Sequence, residues 1–253
     1  MAKPILVANW KNQPGSLAEA RALLTQLSRN SKIYKKLSLF IAPPLPYLEL
    51  VSRYSRNFAR LASQDIPSEF QGTQTGEIAP DILKSFGTRL SIIGHSERRA
   101  VGETNELVSR KIKVALRSNI TPLVSVGEKT PDTDGEHFEF LRQQLKASLA
   151  GLTRQAVSRV AIAYEPAWAI GKTAKGAMVP IDLSESVMFI KKILADMFGR
   201  RVAERVPILY GGSVEPSNAF ALAHETGIKG FLVGHSSLDH KSFKAIAESL
   251  ISK

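Results

Sequence analysis

The 253-residue chain carries a formal net charge of +11, is 43% hydrophobic and 23% charged, and contains no cysteine. Disulfides and cysteine-bound metals are thereby excluded, while the apolar content suffices for a sizeable core. No apolar run is long enough to span a bilayer, and Met1-Ala2-Lys3-Pro4 lacks the charged-then-apolar pattern of a secretory signal, so a cytoplasmic location is expected.

The predicted elements alternate along the chain. A first apolar run, residues 5–9, ends in Asn9 with Lys11 just beyond. A helical pattern follows over 17–28, with Ser16 as its cap and Glu19 completing a capping box. Runs at 37–42 and 59–63 flank a helix at 47–54. The segment 65–79 has few helical signals, and loops of that length in compact domains are usually functional. A helix at 81–86 precedes the run 90–94, which leads into His95 and Glu97. Next come a helix at 105–117, a run at 121–126 with Ser125 near its end and Glu128 beyond, and a helix at 138–149. The run 160–164 leads into Glu165. Pro180 suits the start of a helix at 183–198. The run 207–210 precedes Gly211-Gly212-Ser213, and Pro216 suits the start of a helix at 217–224. The run 230–233 precedes Gly234-His235, and a helix at 242–251 follows.

Most of these runs are continuous rather than alternating, as strands buried on both faces require. Strict alternation of strand and helix implies a parallel sheet with right-handed crossovers. Eight such units favour closure into a (β/α)₈ barrel, with an open doubly wound sheet as the alternative. No break in composition divides the chain, so residues 1–253 are expected to form a single domain. The basic residues are scattered along helices, as at Arg53, Arg56, Arg110, Lys111 and Lys113. They read as solvated faces with a long-range pull on anions, not as a nucleic-acid surface.

In barrels of this kind the active site forms at the C-terminal strand ends. Asn9, Lys11, His95, Glu97, Ser125, Glu128, Glu165, Ser213, Gly234 and His235 all fall there. Glu165 is the most informative. It ends an apolar strand and is followed at once by Pro166-Ala167-Trp168, the arrangement of a rigidly held general base beneath a movable segment. Lys11 can stabilise negative charge developing on an oxygen. His95 stands before a helix start, where a neutral hydrogen-bond donor is favoured over an imidazolium. Gly211-Gly212-Ser213 and the stretch from Gly230 to His235 fit a phosphate grip, since glycine permits close backbone approach to an anion. Gly171-Lys172-Thr173 is like the end of a nucleotide P-loop, but Pro166 stands where that motif needs a glycine. His137, His224 and His240 lack ligand spacing, so no metal site is expected.

Together, Ala8-Asn9-Trp10-Lys11, Thr75-Gly76-Glu77, Gly94-His95-Ser96-Glu97-Arg98-Arg99, Val126-Gly127-Glu128, Ala163-Tyr164-Glu165-Pro166, Tyr210-Gly211-Gly212-Ser213 and Gly230-Phe231-Leu232-Val233-Gly234 resemble the triosephosphate isomerase family over the whole chain. The resemblance implies cofactor-free interconversion of dihydroxyacetone phosphate and glyceraldehyde 3-phosphate. It makes Glu165 the base and His95 the proton shuttle, with Lys11 and Asn9 polarising the substrate oxygens and Glu97 organising Lys11. It places the phosphate on Gly171, Ser213, Gly234 and the His235 backbone, beneath a lid over 166–176. It also implies a homodimer in which the loop carrying Thr75 supports the neighbour's site. The chain departs from the family pattern in four places. The lid lacks a Thr-Gly pair before Lys172, and His235 stands where a second glycine is usual, a position at which a positive φ would be strained. Ser125 replaces a cysteine, a change expected to alter packing or stability without loss of chemistry, and Asn12-Gln13-Pro14 replaces the commoner sequence after the lysine.

Overall fold

The computed structural model describes residues 3–69, 74–130, 135–171 and 176–252. The strands are β1 (Ile5–Asn9), β2 (Ser38–Ala42), β3 (Arg60–Ser63), β4 (Thr88–Ile93), β5 (Thr121–Val126), β6 (Ala161–Tyr164), β7 (Ile208–Tyr210) and β8 (Gly230–Val233). Each pairs in parallel with its sequence neighbour, and β8 returns to β1, closing the barrel. The open-sheet alternative is therefore wrong.

The helices are α1 (Leu17–Ser28), α2 (Ser31–Tyr34), α3 (Leu48–Tyr54), α4 (Pro80–Ser85), α5 (Ser96–Ala100), α6 (Asn105–Arg117), α7 (Glu136–Ser148), α8 (Arg154–Val157), α9 (Pro180–Phe198), α10 (Arg200–Arg205), α11 (Ala219–Glu225) and α12 (His240–Ser249). The short helices α2, α5, α8 and α10 escape sequence reading because none is long enough to show a 3.6-residue repeat. β4 begins earlier than its apolar run because exposed Arg89 interrupts that run. The β3–β4 register also shifts there, from Leu61 opposite Thr88 to Ala62 opposite Leu90. Pro216 precedes α11 by several residues rather than opening it. At α1, Ser16 Oγ accepts from the Glu19 amide at 3.2 Å, but Glu19 Oε2 turns back to the Gly15 amide rather than to that of Ser16.

Two apolar clusters result. One lies between the sheet and the helices and includes Leu24, Ile41, Ile112, Leu145, Ile190 and Phe243. The other fills the barrel and includes Val7, Ala62, Ile92, Leu123, Ala163, Leu209 and Leu232. Side chains alternate across a strand. Hence Asn9, Gln64, Ser125, Glu165, Gly211 and Gly234, each two residues beyond one of these, fall on the same face, whereas Gly94, at φ +75°, turns toward Arg99 and Val108 of the outer layer. The candidate site is the next layer of the barrel filling, built from polar side chains and glycine.

Not every basic residue is solvated. Lys111 is 4% exposed on the inner face of α6. Its ammonium contacts both Asp65 oxygens at 2.7 Å and pairs with the buried carboxylate of Glu103, while Arg98 pairs with Asp65 at 3.1 Å. A buried lysine charge requires such partners. No described helix is long and apolar enough to cross a membrane.

Candidate active site

Glu165 follows β6 and is almost fully buried, with 1% of its side chain exposed. Its Oε1 accepts from Ser125 Oγ at 2.7 Å, and its Oε2 faces the Ser96 amide at 3.4 Å and His95 Nε2 at 3.7 Å. The carboxylate is thus retracted behind the cavity at the barrel mouth. That cavity measures about 100 Å³ and is bordered on one side by Asn9, Lys11 and His95. On the other it is bordered by Gly171, Ser213, Gly234 and His235.

His95 caps α5. Its Nδ1 accepts from the Glu97 amide at 3.2 Å. A ring nitrogen that accepts cannot also carry a proton, so the neutral ring holds its hydrogen on Nε2, the nitrogen nearest Glu165. Lys11 Nζ contacts Glu97 Oε1 at 2.5 Å. The Lys11 backbone adopts φ +53°, a left-handed conformation rare outside glycine. Two contacts hold it there: the Lys11 amide donates to Asn9 Oδ1 at 3.1 Å, and Gln64 Nε2 donates to the Lys11 carbonyl at 2.6 Å. Gln64 also bonds the Ala42 carbonyl at 3.0 Å, which ties the loop to β2. Sequence reading missed Gln64; its only trace was the barrel parity, two residues past Ala62.

The glycines serve a purpose besides the one expected. A β-carbon on Gly211 would lie 2.6 Å from Glu165 Cγ, and one on Gly212 would lie 2.2 Å from the Tyr210 hydroxyl. Both make room for a neighbouring side chain, so a phosphate grip is not their sole reason. Ser213, expected to hold phosphate, has its amide donating to the Ala169 carbonyl at 3.0 Å. His235 opens a short 3₁₀ turn. Among the described residues, only Lys11 and Asn119 are non-glycine residues with positive φ, so the strain expected at His235 is absent.

Ser125 donates a hydrogen bond directly to Glu165, a contact beyond the change in packing or stability expected of it. Glu128, 5% exposed, accepts from Tyr164 Oη at 3.1 Å and from Trp168 Nε1 at 2.7 Å. Its carbonyl accepts from the Ala167 amide at 2.8 Å, so this residue anchors the entry to the lid. At the other end, the Met178 amide donates to Tyr210 Oη at 3.3 Å. Burial pushes the Tyr210 phenol up to about 12, and Tyr164 is also raised, by burial first and then by the Glu128 charge. Both therefore remain neutral hydrogen-bonding groups. The lid tip, Lys172 to Lys175, lies outside the described residues, as does the stretch 70–73 just before Thr75. Among the described residues, no three His, Asp or Glu side chains are grouped so as to hold a metal ion.

Fold and site together define a (β/α)₈ barrel with a carboxylate–imidazole pair and a glycine-bordered cavity at its C-terminal mouth. The chain belongs to the triosephosphate isomerase family, whose model matches residues 4–250. It is 40% identical over 251 residues to the triosephosphate isomerase of Geobacter metallireducens, covering 97% of this chain and 98% of that one. Identity to the Roseiflexus castenholzii protein of the same name is 38%, covering 99% and 98%. For the Dictyoglomus thermophilum triosephosphate isomerase it is 37%, covering 98% and 100%.

Proposed function

We propose that this chain interconverts dihydroxyacetone phosphate and glyceraldehyde 3-phosphate by proton transfer through an enediolate, the triose step of glycolysis and gluconeogenesis. The observation that carries this reading is the buried Glu165 carboxylate beside His95 Nε2, just behind the cavity that Lys11, Ser213 and Gly234 border. Glu165 takes the proton from the carbon beside the carbonyl and returns it to the neighbouring carbon. Its retracted position requires the side chain to swing into the cavity first. His95 donates from Nε2 to the substrate oxygen and shuttles the proton between the two oxygens. Lys11 and Asn9 stabilise charge on those oxygens, and Glu97 fixes Lys11 through their contact. Carbon acids are weak, so such charge stabilisation is essential; one lost donor of this kind typically costs about 3–4 kcal/mol.

Gly171, Ser213, Gly234 and the His235 amide hold the phosphate. The Ser213 amide must leave Ala169 to do so, which couples phosphate binding to movement of the lid. A closed lid excludes water and protects the enediolate from losing phosphate.

The rest of the reading follows from this one. The protein is a single domain, acts in the cytoplasm and works as a homodimer. Support for the dimer comes from a second cavity of about 280 Å³, bordered by Lys11, Leu45, Gln64, Gly76, His95 and Glu97, which would receive the partner's loop.

The test is a coupled assay of glyceraldehyde 3-phosphate conversion, run beside Glu165→Gln. Fast turnover that collapses in the variant supports both the activity and the base. A folded parent that binds a phosphate-bearing enediolate mimic without turning substrate over defeats the reading.

A further inference from the structure

We infer that Arg99 and Ser125 act together as positioning residues for both Glu165 and His95. The inference rests on the isomerase reading and deepens it. Arg99 lies on α5, partly buried behind the site. Its guanidinium spends its donors on three separate segments. Nε donates to the Gly94 carbonyl at 2.7 Å, Nη1 to Asn105 Oδ1 at 2.7 Å and Nη2 to the Ser125 carbonyl at 3.3 Å. Gly94 immediately precedes His95, and the Ser125 hydroxyl donates to Glu165 Oε1 at 2.7 Å. One planar group therefore fixes the backbone that carries the acid and the residue that holds the base.

The arrangement is specific to a guanidinium. Its rigid fork satisfies several acceptors at fixed angles, which a lysine ammonium cannot reproduce. Its fit is also close: a β-carbon on Gly94 would fall 2.9 Å from Nη2, so only glycine admits the guanidinium there. Those three partners are neutral. The carboxylates of Glu103 and Glu165 act on the guanidinium charge at longer range, against the desolvation that weakens it. Arg99 is thus a positive charge standing behind a buried carboxylate, linked to it through a single residue. The other charged or titratable groups around the carboxylate are His95 at 3.7 Å and, beyond it, Glu97 and Lys11.

Removing either residue should affect the reaction in a way that mere loosening of the fold does not. The experiment measures kcat and KM against pH for the parent, Ser125→Ala, Arg99→Lys and Arg99→Met, with circular dichroism and melting curves confirming that each is folded. In Ser125→Ala and Arg99→Met, kcat is expected to fall about ten- to a hundredfold with KM little changed, the scale of a misplaced reacting group. The acidic limb of their kcat/KM profiles moves to higher pH, because Ser125→Ala loses a hydrogen bond and Arg99→Met a positive charge, each of which favours the anion. Arg99→Lys keeps the charge but not the fork, so it loses rate while holding the parent's pH profile. The double variant Ser125→Ala/Arg99→Met loses less than the product of the single losses, because the two residues act through one path.

Folded Ser125→Ala and Arg99→Met variants with the parent's kcat and a superimposable pH profile would overturn the inference. So would losses confined to melting temperature. A parent without turnover defeats the isomerase reading itself and this inference with it; an active parent with unaffected variants sinks the inference alone.

Discussion

Glu165 Cγ lies 2.6 Å from where a β-carbon on Gly211 would stand. Gly211 is not among the glycines of positive φ, so its backbone imposes no demand for glycine. The demand comes from the base. Gly211→Ala is expected to push the Glu165 carboxylate off Ser125, cost about 1–3 kcal/mol of stability by overpacking, and lower kcat by at least about tenfold. Steady-state kinetics and denaturant melts on one preparation check both. A variant with normal kcat would show that the base tolerates displacement.

Glu165→Asp retracts the carboxylate by one methylene while keeping its charge. Its kcat should fall by on the order of a hundredfold or more, with KM within a few-fold of the parent. Near-normal turnover would remove Glu165 from the role of base.

Gln64 is expected to matter to catalysis without touching substrate. Gln64→Leu removes the donor that holds the Lys11 carbonyl, so the strained Lys11 backbone can relax and its ammonium leaves its place. The expected outcome is a rise in KM and a fall in kcat/KM of roughly tenfold. Unchanged kinetics would mean that Asn9 and Glu97 suffice to hold Lys11.

Lys111 tests the energetics of a buried charge. Lys111→Met leaves Glu103, with 2% of its side chain exposed, without its ammonium. Breaking a buried pair in this way costs about 3–5 kcal/mol. Urea unfolding should show that loss; a change below about 1 kcal/mol would mean that the Glu103 carboxylate is not left buried and uncompensated in the variant.

Asp239 caps α12, its side chain accepting from the Ser242 amide at 2.8 Å. That hydrogen bond, first of all, lowers its carboxyl below the ordinary range. A carboxyl depressed in the folded state adds stability above its unfolded value, about 3.9, and loses it as pH falls through the folded one. Asp239→Ala should therefore cost about 0.5–2 kcal/mol at neutral pH, and the gap to the parent should shrink steadily below about pH 4. A gap independent of pH would point to packing instead.

The architecture was largely legible in the sequence, because eight apolar runs separated by helical patterns leave few ways to bury both faces of each strand. The polar residues gathered at the barrel mouth were legible for a related reason. Asn9, Lys11, His95 and Glu165 are polar groups at or just past the ends of runs that are otherwise apolar. What stayed hidden depends on contacts between distant segments. Nothing local to Gln64 marks it as the support of Lys11, and nothing local to Gly211 and Gly212 distinguishes anion binding from clearance for Glu165 and Tyr210. Lys111 read as solvated because a lysine on an amphipathic helix usually is; only its spatial neighbours Asp65 and Glu103 bring it inside. The Ser16–Glu19 pair was found, but the return bond slid to Gly15, a choice of partner that spacing alone does not determine.

The parity linking Leu123 to Ser125, Ala163 to Glu165 and Leu209 to Gly211 has a consequence for how such a molecule can change. Its reactive groups form the uppermost storey of a stack whose lower storeys are hydrocarbon. Alterations in the upper storey should cost rate at constant yield of folded protein, and alterations at Leu90, which borders neither cavity, should cost yield at constant rate per molecule. Chemistry and assembly are thereby written into different rungs of the same strands, and selection can revise one while leaving the other alone.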